Sequence, residues 1–134
     1  SDAELASALA ARTELRAEFL LHMLGDADIA VLPVMPIRTP SVVDVDPASA
    51  TFSPRTLYAM SRFTRFANYF GLPVLAIPAG EDDRGMPVSV QIIARPGCDR
   101  LLLELGILLQ RGTDWHQRMP GAITAAIGKE GLNG

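Results

Sequence analysis

"RFTRFANYFGLPVLAIPAGEDDRGMPVSVQIIARP", residues 62–96, is the stretch that decides the fold. Gly71 and Pro73 stop a helical pattern and open an extended one. "PVLAIPA" has the composition of a strand and "GEDDRGM" that of a polar turn. "PVSVQIIA" alternates, with Val88, Val90 and Ile92 on one face and Ser89 and Gln91 on the other. Two such runs joined by a glycine-bounded turn predict a β-hairpin with a longer loop.

Working outward, Ser53 and Pro54 read as an N-cap and first-turn proline, launching a helix through Leu57, Met60, Phe63, Thr64 and Ala67 that ends by Phe70. Upstream, "DIAVLP" carries Ile29, Val31 and Leu32 as a short apolar run, the pattern of a strand buried on both faces. Between them, residues 34–54 hold four prolines and little periodicity. A loop of that length is expected to wall a pocket or cover a neighbouring surface.

Near the N-terminus, Leu5, Leu9, Leu15, Phe19 and Met23 recur at helical spacing. Ser1 and Glu4 have capping-box spacing, and Gly25 is placed to end that helix in a left-handed turn. Downstream, Asp99 can cap a helix whose Leu101, Leu102, Leu105, Leu108 and Leu109 predict burial on most sides. Gly106 within it implies a neighbour packed against its backbone. The order helix, strand, helix, strand, strand, helix gives an α/β fold: a mixed β-sheet with a hairpin and flanking helices.

With 134 residues, 49% of them hydrophobic, the chain suits one compact domain. A formal charge of -3 and a pI near 5.3 give no electrostatic footprint for nucleic acid. Cys98 is the single cysteine, which excludes an internal disulfide. No zinc spacing occurs, and two distant histidines, His22 and His116, do not make a metal site. Asp2 and Glu4 stand where a signal peptide would be basic, and no run of eighteen apolar residues occurs, so the expectation is a cytoplasmic protein without a membrane span.

Chemistry is sparse. No serine sits in a Gly-x-Ser-x-Gly elbow, and the "GK" at Gly128 has neither the spacing nor the Ser/Thr of a phosphate loop. Cys98 and His116 flank the last helix, some ~20 Å apart at 1.5 Å per residue, too far for a thiolate and its base. A cysteine-dependent enzyme would require fast alkylation of Cys98, which reads better as a small filler. Glu81, Asp82 and Asp83 read as a solvated hairpin tip.

An ordered series of motifs resembles the C-terminal part of the amidase signature family. "FTRFANYFGLPVLAIPAG" is similar to the family's "FT-x-P-x-N-x-x-G-L-P-A-x-S-V-P-x-G", "RGMPVSVQIIARP" to "GLPVGLQLIGRP", "DIAVLPVMP" to "D-x-L-L-x-P-T-x-P", and "TDWHQRMP" to the tail after the family's last helix. The resemblance covers residues 27–120. It implies the C-terminal portion of the family's α/β/α fold, with residues 1–120 as a segment of that domain and 121–134 as a tail.

The family hydrolyses or transfers amide groups with a Ser-Ser-Lys triad carried in a Gly/Ser-rich core N-terminal to the region matched. No such core is present, and the only lysine, Lys129, lies beyond the match. The resemblance therefore implies no catalytic residue, metal or cofactor in this chain, a small-molecule amide as substrate of the full-length enzyme, and no activity alone. It places Ser61, Arg62, Arg65, Phe66 and Asn68 on the helix that faces the substrate cleft. For Asn68 the residues themselves favour a structural role, a side chain satisfying backbone groups at the helix end, over direct substrate contact. Ser61 stands where the tRNA-dependent amidotransferase members of the family carry an aspartate that recognises an amino acid, which points toward an amide, urea or carbamate hydrolase. Phe66 and Ala79 replace a usual proline and a frequent cysteine. Apolar area left uncovered would favour a homodimer. The rival reading is a freestanding non-catalytic α/β module for self-association or partner binding.

Overall fold

The structure, a computed structural model, describes residues 1–119. Helix α1 (Asp2–Leu24) begins at a capping box in which the Ser1 hydroxyl accepts from the Glu4 N–H at 3.4 Å and the Glu4 carboxylate returns to the Ser1 ammonium at 2.6 Å. Gly25 ends the helix with φ 52° and ψ −118°, a positive φ suited to glycine but outside the left-handed helical basin that was expected. The apolar docking of α1 is confined to its last turns, through Phe19, Leu20, Met23 and the buried Leu24, with Arg12 reaching Tyr69 from mid-helix. Leu5, Leu9 and Leu15, expected on the same covered face, are exposed because α4 and β1 lie beneath the C-terminal end of the helix alone.

Strands β1 (Ile29–Pro33), β2 (Val74–Glu81) and β3 (Pro87–Ala94) form one sheet in the order β1-β3-β2. Both pairings are antiparallel, where a mixed sheet was expected. The hairpin sets β2 against one edge of β3, and β1 takes the other edge. β1 and β2 run in the same sense but never meet. Pro33 ends the outer strand β1, Pro78 stands beside a bulge between Pro78 and Gly80 on the outer strand β2, and Pro87 is the first residue of central β3, all positions that proline tolerates in a sheet.

The pleat divides the core into two layers. On one face Ile93, Leu32 and Val74 pack with Phe70, Leu72, Phe66 and the end of α1. On the other, Ile92, Ala94, Ile29, Leu75 and Ile77 pack with Leu102 and Leu105 of α5 (Asp99–Gly112). Helices on both faces of a sheet make this an α/β fold. Gly106 lies over β2, where an added Cβ would come within 2.8 Å of Leu75 Cδ2, so the helix approaches the sheet as closely as a glycine permits.

Three expectations give way here. The strand β1 is not buried on both faces: Val31 is 55% exposed, because α5 contacts β2 and β3 and not the outer part of β1. Cys98, not Asp99, occupies the N-cap of α5, with Asp99 in the first turn, and Cys98 makes no side-chain capping bond. Nor is α5 buried on most sides, since Leu103, Ile107 and Leu108 all face outward.

Residues 54–70 form two helices instead of one: α3 (Pro54–Met60) and α4 (Arg65–Phe70) are separated by a turn at 61–64. Ser53 caps α3 without a side-chain bond. At the break the Ser61 carbonyl accepts from the Thr64 and Arg65 N–H groups and from the Thr64 hydroxyl. The Phe63 carbonyl lies before α4 and outside its ladder. The amide of Gln91, on central strand β3 and only 1% exposed, donates to it at 2.6 Å and to the Pro33 carbonyl at 3.2 Å. One buried side chain thus joins the helix break to β1 and β3. The loop of residues 34–53 carries its own short helix α2 (Val42–Val45), begun by a Ser41/Asp44 capping box.

Candidate substrate groove

The break between α3 and α4 opens beside a cavity of about 480 Å³, a size ordinary for small-molecule sites. Residues 34–39 form one wall, Met60, Ser61 and Thr64 a second, and Asp82 with Pro87, Val88 and Ser89 of the hairpin a third. The long proline-rich loop is a pocket wall, as its length led one to expect. A second cavity of about 260 Å³ shares Val34 and Thr64 with the first and continues past Asn68 to Val74, Ala76 and Gln91. Ser61, Thr64 and Asn68, spaced three and four residues apart, therefore border one continuous groove.

The five residues expected to meet a substrate are not all brought together. Ser61 lines the larger cavity and Asn68 the smaller. Arg62 is exposed and lines neither. Arg65 folds back on α3, donating to the Tyr58 carbonyl at 3.1 Å with its guanidinium 5.5 Å from the Tyr58 ring. Phe66 packs 4.9 Å from Phe19 between α4 and α1, in the core. The alternative role for Asn68, satisfying the helix end with its side chain, is filled by the backbone: Gly71 takes the left-handed conformation and donates to the Ala67 and Asn68 carbonyls, and Leu72 N–H reaches Ala67. The Asn68 side chain is left on the groove.

Thr64, Arg38 and Asp82 are groove residues that the sequence pattern did not single out for substrate. Thr64 could have been found by its helical spacing from Ser61 and Asn68. The other two depend on a contact between loops 45 residues apart. Arg38 pairs with Asp83 at 2.7 Å, and Arg84, clasped by Asp82 at 2.7 and 3.0 Å, donates to the Thr39 carbonyl at 3.0 Å. Asp82 also accepts from the Arg84 and Met86 N–H groups. The Arg84 guanidinium and these N–H donors hold its carboxyl down at about 2, well below the usual carboxylate range. The acidic tip is consequently no loose solvated cluster: Asp82, its side chain only 15% exposed, organises the turn.

On the far side of the hairpin, Trp115 rests against Gly80, and Arg118 lies 3.8 Å above its ring while reaching Glu81 and Asp114. This contact anchors the segment that follows α5. Cys98 packs against the Ile92/Leu102 layer as a filler. Among the described residues, no group of three or more His, Cys, Asp and Glu side chains could hold a metal ion, and no helix is long and apolar enough to cross a membrane. Lys129 and the tail 121–134 lie outside the described residues.

A groove between a β-hairpin and a broken helix lies on a sheet layered between helices, and the whole is an α/β segment. The family model for "Amidase" matches residues 1–103, so this chain belongs to the amidase family. Relatives include the A subunit of the glutamyl-tRNA(Gln) amidotransferase from Ralstonia nicotianae, 32% identical over 75% of this chain and 19% of that protein. Its counterpart from Desulforudis audaxviator is 32% identical over 89% of this chain and 23% of its own length. The solved structure of 6-aminohexanoate cyclic dimer hydrolase superposes with a TM-score of 0.71 at 26% identity, covering 91% of this chain and 26% of that one. A crystal structure of an amidase gives 0.66 at 27% identity, covering 83% and 25%. The chain thus spans about a quarter of the length of the proteins it matches, and the family match takes in the N-terminal helix and the motifs between residues 27 and 96, ending at residue 103, before "TDWHQRMP".

Proposed function

We propose that this chain is the C-terminal portion of an amidase-type hydrolase acting on non-peptide carbon–nitrogen bonds, supplying scaffold and one wall of the substrate cleft. The observation that carries this reading is the groove bordered by Ser61, Thr64 and Asn68, set in a chain that spans about a quarter of its relatives. Residues 1–120 are the domain segment and 121–134 a tail. In the full-length enzyme an activated serine would attack the amide carbonyl, donors would hold the tetrahedral intermediate, and water would release the acyl group. The groups for those steps are supplied from outside this chain, whose contribution is to orient a small amide. Of the five expected contacts Ser61 and Asn68 border the groove; Arg65 on Tyr58 and Phe66 on Phe19 steady the helices that carry them, and Arg62 lies outside it. A serine in place of an aspartate at position 61 favours a hydrolase over an amidotransferase that must grip a charged amino acid.

The purified 134-residue protein should show no amide hydrolysis. Turnover that disappears on substituting one of its own serines would overturn the reading. A specific observation favours a second one: Leu103, at 61% exposure, and Leu108, at 64%, present an apolar face on α5 that suits a self-associating module in the cytoplasm. A stable homodimer lost on changing Leu103 and Leu108 to polar residues would show that this face self-associates, and the upstream reading frame separates the two: an in-frame Gly/Ser-rich core with a lysine supports the cleft-wall segment, a native start codon near Ser1 the module.

A further inference from the structure

We infer that the larger cavity is a subsite for an uncharged, mainly apolar group of the substrate, and that pairing of every charge on its wall is what excludes ions. This rests on the reading of the groove as a substrate cleft. The apolar lining comes chiefly from Val34, Met35, Pro36, Ile37, Met60 and Val88, and Thr39, Ser61, Thr64 and Ser89 are the neutral polar residues. Thr64 spends its proton on the Ser61 carbonyl, which leaves its oxygen as an acceptor for a ligand N–H.

Two charged side chains line the cavity, Arg38 and Asp82, and the charge of each is compensated by a partner outside it. The Arg38 guanidinium is held by Asp83 at 2.7 Å, and the Asp82 carboxylate accepts two bonds from Arg84 and two from backbone N–H groups. An ion entering the cavity would give up water without meeting an uncompensated charge, a cost that an amide, with hydroxyls to meet it, does not incur. The two pairs differ in strength. Arg38–Asp83 is exposed on both sides and open to screening by salt, whereas Asp82 is held by four bonds, so discrimination against cations is the firmer of the two. The same pairs strap residues 38 and 39 to the hairpin tip, so charge pairing and closure of the wall are one device.

The test uses three near-isosteric probes, benzamide, benzoate and benzamidinium, titrated into the isotopically labelled 134-residue protein at low salt and followed by amide shifts. Benzamide should perturb residues 34–39, Ser61, Thr64 and Ser89 and bind about tenfold more tightly than benzamidinium, the ratio that 1.4 kcal/mol gives. Arg84→Gln, which releases Asp82, should cut that gap to about threefold or less, and Asp83→Asn, which releases Arg38, should favour benzoate. Unchanged Trp115 fluorescence would confirm that each variant keeps the hairpin fold. Benzamidinium or benzoate binding as tightly as benzamide at these residues, or variants that leave the order unchanged, would overturn the inference while leaving the groove as substrate cleft. Perturbations elsewhere, or no binding at all, would overturn both.

Discussion

Replacing Gln91 by leucine should be the most informative single change in this chain. The side chain is 1% exposed on the central strand, and its amide donates to the Phe63 carbonyl at 2.6 Å and the Pro33 carbonyl at 3.2 Å. Leucine has nearly the same volume, so the cavity term is small. What remains is two carbonyls deprived of their donor, each costing about 1–3 kcal/mol when desolvated. The groove beside Gln91 admits water to part of this surface, which places the total at about 2–4 kcal/mol. For a chain of this size, with an unfolding entropy of about 2.1 cal/mol/K per residue, that is a fall in Tm of roughly 7–14 °C. Urea unfolding gives the free energy, and hydrogen exchange should show lost protection first at 63–67, where the amide holds the helix break. Gln91→Glu should be worse than leucine at neutral pH, because a carboxylate would face two carbonyls. Part of that loss should return at acidic pH, where the protonated group can donate once. A leucine variant within 0.5 kcal/mol or so of the parent, with protection at 63–67 unchanged, would refute the claim that this side chain ties the helices to the sheet.

Gly71→Ala forces a residue with a Cβ into φ 63°, ψ 45° at the end of α4 and should cost about 1 kcal/mol or somewhat more, read from a shifted denaturation midpoint with an unchanged m-value. Asp82→Asn should destabilise the hairpin with a defined pH dependence. Because the folded carboxyl is depressed from 3.8 to about 2, the wild type's advantage is fully present above about pH 4 and disappears as pH falls through 2; a constant Tm difference across that window would contradict it. Trp115→Ala removes the ring that lies between Gly80 and the Arg118 guanidinium, and should raise exchange at 114–118 by roughly tenfold while leaving α1 protected.

The hairpin and the helix ends were legible because they are local: glycine and proline at Gly71 and Pro73 and the alternation through Val88, Val90 and Ile92 carry their instructions in adjacent residues. The helix break was not, because nothing between Met60 and Arg65 forbids a continuous helix. The competing partner is a buried amide 28 residues downstream. Burial of α1 and α5 was over-read for a related reason. Periodicity at Leu5, Leu9 and Leu15, or at Leu101 through Leu109, reports a face that wants cover, and cannot say whether this chain supplies it. Of the groove, the helix residues Ser61 and Asn68 were within reach of motif reasoning. Phe66, next to them in the same motif, turns inward to Phe19, since six-residue α4 needs one face for the core and leaves one for the groove.

That division of α4 explains why the site sits where it does. Ala67 and Phe70 are buried, and with Phe66 they fix the helix against α1 and the sheet, so Thr64 and Asn68 on its other side are held by packing that they do not themselves provide. The opposite wall, residues 34–39, contributes no residue to the buried core; its start is tied to β3 by the Val34 N–H bond to the Ser89 carbonyl, and its far end by two arginine contacts to the hairpin tip. One wall is therefore set by apolar burial, insensitive to salt, and the far end of the other by an exposed ion pair and an arginine–carbonyl bond. Any change in the width of the groove must come from the second wall. Raising the ionic strength should loosen residues 34–39 by hydrogen exchange well before it touches α4, the reverse of what a groove built on hydrophobic contacts on both sides would do.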